Sequence, residues 1–102
     1  MARVEAAPVC IITLTYRAPV EEIDKLLPAH VAWLEKGFDE GLFLIAGRQV
    51  PRVGGIILCR GRRAEVEALA ATDPFVTNGA SDFAVTEIAA SMAAPAIAAL
   101  LR

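Results

Sequence analysis

The chain holds one histidine, His30, in the segment "LLPAHVAWLEKG". An imidazole is the side chain best suited to moving a proton near neutral pH, and it does so when an acceptor fixes its tautomer and orientation. Asp73 is the first candidate for that acceptor, with Asp24, Asp39 and Asp82 as competitors. Asp73 stands in "TDPFVTNG", where its carboxylate has a second use as a cap for backbone amides. Pro74 forces it out of the helical region, and Asn78-Gly79 turns the chain onward. His30 and Asp73 are too distant in sequence to form a motif, so both readings of the acid stay open.

Other reactive types have weaker settings. Arg48 and Arg52 flank the segment "RQVPRVGG" and suit either a ligand's carboxylate or phenolate, or plain solvation. "AGRQVPRVGG" lacks both the glycine spacing and the strand-to-helix context of a phosphate cradle. Ser81, Ser91, Thr72 and Thr77 carry no signature of a nucleophile elbow, which leaves hydrolase chemistry without support. Cys10 and Cys59 each lie in an apolar run rather than in metal-ligand spacing, so they read as reduced core thiols, and no metal or cofactor site is expected.

These residues need elements to position them. "VCIITLTY" (9–16) reads as a covered strand, "LFLIAG" (42–47) and "GGIILCR" (54–60) as an antiparallel hairpin, and "DFAVTEIAA" (82–90) as a last strand. Between them, Val20, Ile23, Leu27, Val31, Leu34 and Phe38 recur at helical spacing, and "RRAEVEALAAT" (62–72) is a second helix with Val66, Leu69 and Ala70 inward. Pro28 is expected to kink or break the first helix. On an unbroken helix His30 projects about 80° from the apolar centre, on a shoulder shared with Leu26, Trp33 and Gly37. That shoulder is a wall facing something other than solvent.

The element order is βαββαβ, the ferredoxin-like α+β plan with helices on one face of a four-stranded antiparallel sheet. The other face is left open, to meet its copy in a homodimer or to shelter a small ligand. The 102 residues suit one domain, with a core over about 9–90 and an apolar tail at 91–102 that covers a sheet edge and forms a helical turn after Pro95. A net charge of −2 gives no footprint for nucleic acid, and no apolar run approaches a membrane span, so the protein is expected in the cytoplasm.

Taken together, "LLPAHVAWLEKGFDEGLFLIAGRQVPRVGGIILC" and "DPFVTNGASDFAVTEI" resemble the YCII-related family over roughly Val9 to Ile88, with "PAH", "AGR", "PRVGGIIL" and "DPF" in family order. The resemblance implies a dimeric ferredoxin-like α+β barrel with a small-molecule cleft in which His30 faces Asp73. It also implies that Gly47 and Phe75 shape the cleft and that Arg48 contacts the ligand, while Trp33 joins the wall on the helix shoulder. Val31 departs from the pattern, since members often carry a basic residue there. The implied chemistry is cofactor-free proton transfer on a small cyclic or aromatic compound, by elimination (dehydrochlorination) or isomerisation. The rival reading is a non-catalytic dimeric binding module, and a third is a cofactor-free monooxygenase.

Overall fold

A computed structural model describes residues 1–102. The chain runs β1 (Ala2–Tyr16), α1 (Val20–Asp39), β2 (Phe43–Arg48), β3 (Gly54–Arg60), α2 (Arg63–Ala70), α3 (Pro74–Thr77), β4 (Ser81–Ala93) and α4 (Pro95–Leu100). All four strands pair antiparallel in the order β2-β3-β1-β4, the ferredoxin-like arrangement. Opposed residues share a face, so Cys10, Ile12 and Leu14 of β1 line up with Cys59, Ile57 and Gly55 of β3 beneath the helices. With Ile23 of α1 and Val66 of α2 they form the core. The opposite face presents Ile11, Leu58, Ile45, Ile56 and Ile88, the last three well exposed. No helix is long and apolar enough to cross a membrane.

The first and last strands are longer than their apolar runs. β1 begins seven residues before Val9 and continues through Pro8, which pairs with Ala89 of β4. The Pro8 carbonyl accepts from Gly61 just where β3 has ended, so the proline's missing N–H faces no strand. Further out, the register slips between Arg3 and Ala7, where Ala6 takes a left-handed φ of 47°. β4 correspondingly absorbs the first part of the tail, through Ala93, and α4 follows with Ala98 buried.

Three expectations for the helices need correction. α1 does not break at Pro28. The hydrogen bond the proline forfeits belongs to the Asp24 carbonyl, and both residues are exposed, on the side of the helix where losing one bond costs least. Its buried stripe is Ile23, His30 and Gly37, whereas Val20, Val31 and Phe38 are about 40% exposed. The inward face is therefore rotated onto the supposed shoulder. Gly37 explains part of this, because a Cβ there would lie 2.1 Å from the Phe43 ring, so the glycine lets β2 close against the helix. The "DPF" corner is likewise a short helix, α3, rather than a turn leading straight into β4.

Candidate active site

Asp73 sits in extended backbone (φ −58°, ψ 128°) between α2 and α3, with Pro74 at the first helical position. This is the arrangement Asp-Pro favours: the acid is kept out of the α region, and its side chain reaches the free amides of the new helix. Its Oδ1 accepts from the Phe75 amide at 3.0 Å. The same oxygen accepts from His30 Nδ1 at 2.8 Å. The capping reading and the imidazole-orienting reading are thus both true, and of a single oxygen atom. Asp73 is 0% exposed, and its Oδ2 is buried with no hydrogen-bond partner.

The imidazole is held on its faces as well as at its edge. The Phe75 ring stacks on it with centroids 3.9 Å apart and planes 10° from parallel, and Trp33 lies 5.9 Å away. Trp33 is itself tethered, donating from Nε1 to Thr72 Oγ1 at 2.9 Å. Because Asp73 takes the proton-bearing Nδ1, the neutral ring carries its lone pair on Nε2. That nitrogen makes no hydrogen bond within the protein and is not among the sealed polar atoms. It is therefore the unpaired edge of the ring.

His30 opens on a cavity of about 250 Å³ between α1 and the β2-β3 hairpin. Its wall is mainly apolar, built from residues such as Leu14, Leu27, Leu34 and Ile57, with Phe75, Gly47 and Arg48 also on it. Arg48 pairs with Gly55, and Gly55 with Leu14, which puts the arginine on the helix side of the sheet at the mouth of the cavity. A small site with one base, one cation and apolar walls suits a compact anionic or phenolic molecule. The cavity is thus on the helix side, and the open sheet face is not where this small-molecule space lies.

Two of the competing aspartates are paired elsewhere, and the third, Asp39, is exposed at the end of α1. Asp24 accepts from Arg52 at 2.7 Å, a bond that raises the guanidinium pKa further, and Asp82 pairs with Arg17. Arg52 accordingly ties the β2-β3 loop to α1 and does not line the cavity. Trp33, expected on the wall, is also outside the lining and packs between His30 and Phe43. Val31 does line it, so an apolar surface stands where the resemblance implies a base. Ala46 and Gly55, also on the wall, escape a sequence reading because only strand register shows that they face the helix. Cys10 and Cys59 oppose each other in the core as free thiols; burial pushes both up, Cys59 to about 11.

Known proteins were compared with this arrangement. The model of the YCII-related domain matches residues 8–89. A search of curated proteins finds no match. Among solved structures, the chain is similar to the 5-chloro-2-hydroxyhydroquinone dehydrochlorinase TftG of Burkholderia phenoliruptrix AC1100 in complex with 2,5-dihydroxybenzoquinone. The TM-score is 0.65 at 18% identity, covering 76% of this chain and 90% of that one. At that identity the likeness bears on the fold.

Proposed function

The chain belongs to the YCII-related family, and from that premise we propose that it is a cofactor-independent acid–base enzyme acting on a small cyclic compound. One observation carries this reading: Nδ1 of His30 is taken by the buried Asp73, which leaves Nε2 unpaired on a ring that lines a mainly apolar cleft. In an elimination, Nε2 takes a proton from a C–H or O–H of the substrate's keto tautomer, the released electron pair forms the new C=C or C=O bond, and chloride departs from the neighbouring saturated carbon, so that HCl is lost overall. Asp73 holds the ring and stabilises the imidazolium, while Arg48 steadies the anionic oxygen. Isomerisation uses the same base, with the proton returned to another carbon. Gly47 and Phe75 shape the space, and Trp33 supports the imidazole from outside it.

The reaction is tested by following chloride release from 5-chloro-2-hydroxyhydroquinone, the compound in the similar enzyme's name. Activity that disappears in His30→Ala supports the reading, and full activity in that variant would sink it. One feature favours the rival, non-catalytic reading: Asp73 Oδ1 also caps α3, so the pair doubles as a strut. On that reading, substitution at Asp73 moves stability and leaves any turnover unchanged.

The exposed Ile45, Ile56 and Ile88 support a homodimer formed across the open sheet face. Sedimentation equilibrium should report a dimer for the native protein and a monomer for Ile45→Asp. A native monomer at high concentration would refute the pairing.

A further inference from the structure

The helix-covered face of the sheet reads as rows of opposed residues. One row is Arg48, Gly55, Leu14 and Phe83, and the next is Ala46, Ile57, Ile12 and Val85. Towards β1 and β4 these rows are filled by large side chains, with Ile12, Leu14 and Ile57 buried in the core. Towards the β2-β3 hairpin each row has one small member, a methyl at Ala46 of β2 and a hydrogen at Gly55 of β3, with Arg48 at the exposed edge. The cavity lies there, under Leu27, His30 and Leu34 of α1.

Glycines in this hairpin differ in what they are for. A Cβ at Gly54 would stand 1.8 Å from the Leu14 carbonyl oxygen, so close backbone approach demands that glycine. Gly55 has neither that collision nor a left-handed φ. A Cβ there would meet one atom, the Gly47 carbonyl oxygen at 3.1 Å, and nothing else within 4 Å. The fold can therefore carry a side chain at 55 with a small adjustment, and what that side chain would occupy is the cavity. Such a glycine makes room for a molecule rather than for a turn.

We propose that Gly55, with Ala46 beside it, determines ligand size: the missing side chains are the seat of one flat six-membered ring, lying between the sheet and His30. The inference rests on the cavity being a ligand site, as argued above. A cavity of roughly 150 Å³ is enough to hold benzene, so the volume of about 250 Å³ here takes one ring with its oxygen substituents. A side chain added at 55, or a longer one at 46, reaches the same space from two different strands.

The test is calorimetric titration of 2,5-dihydroxybenzoquinone into the native protein, Gly55→Ala and Ala46→Leu, alongside their melting temperatures. The native protein should bind. Both variants should melt near the native temperature, with binding weakened at least about tenfold, the scale of overpacking a filled site. Ala46→Leu keeps the test sound if the tight 3.1 Å contact upsets Gly55→Ala, since position 46 already carries a Cβ. Native-like binding in folded variants would overturn the size proposal and leave the ligand site standing. No binding by the native protein would overturn the ligand reading and the size proposal with it.

Discussion

The layer between α1 and the sheet is a core at one end and a cavity at the other. Over β1 it is closed by Ile12 against Ile23; over the β2-β3 hairpin, the same layer stays open above Ala46 and Gly55. Strand pairing and helix cover are continuous across both ends, so architecture does not distinguish them. Side-chain volume does. A site here needs no special loop or insertion: leaving two positions small is enough, with a base placed above the gap.

The strongest way to break this contrast is at the open end. His30→Ala should lower kcat for chloride release by about 10²- to 10⁴-fold, the usual contribution of a positioned acid–base group. The fold should survive with a loss of about 1–3 kcal/mol, because the variant leaves the buried Asp73 carboxylate without its imidazole partner. Circular dichroism with the kinetic assay checks both parts.

At the closed end the effect should invert. Ile12 is 0% exposed, and Ile12→Ala should cost about 2–5 kcal/mol by denaturant unfolding, since the cavity it creates cannot collapse. Whatever fraction stays folded should keep its affinity for 2,5-dihydroxybenzoquinone. Loss of affinity without loss of stability would erase the distinction between the ends.

Asp73 belongs to both descriptions, so it sharpens the boundary. Asp73→Ala removes the α3 cap and orphans the imidazole, with an expected loss of about 1–3 kcal/mol. It should also reduce turnover, because the ring is then free to rotate and change tautomer. A stability loss with unchanged kcat favours the strut.

The smallest effect is a pH dependence of the closed end. Cys59 lies near 9 when unfolded and is pushed up to about 11 when folded, first by burial and then by Cys10. Between those values the unfolded chain ionises and the folded one does not. Stability is therefore intact below about pH 9 and declines as pH rises towards 11, by up to about 1.4 kcal/mol per pH unit. Urea midpoints at pH 8 and 10.5 should differ more for the native protein than for Cys59→Ala.

Much of the fold was legible because local rules govern it. Apolar runs, helical spacing and turn residues place six of the elements and their βαββαβ order, with β3 falling at its expected bounds. The extra length of β1 and β4 was not legible, since Pro8 and the alanine-rich tail pair acceptably only because of where β3 stops. The inward face of α1 was misplaced for a similar reason. Hydrophobicity alone favours Val31 and Phe38, whereas packing selects the stripe whose small Gly37 admits Phe43.

By itself the sequence determined the protein's local devices: most of its strands and helices, an Asp-Pro corner after α2, and a lone imidazole with several aspartates to choose from. Only the tertiary structure decided which aspartate, and it did so by docking α3 on α1 so that one carboxylate oxygen serves a helix amide and His30 together. It alone decided that Ala46 and Gly55 face the base across an open space, because register is a property of paired strands. Short-range chemistry is written into neighbouring residues. Which distant groups meet depends on how volumes fill a shared interior, and no single segment encodes that.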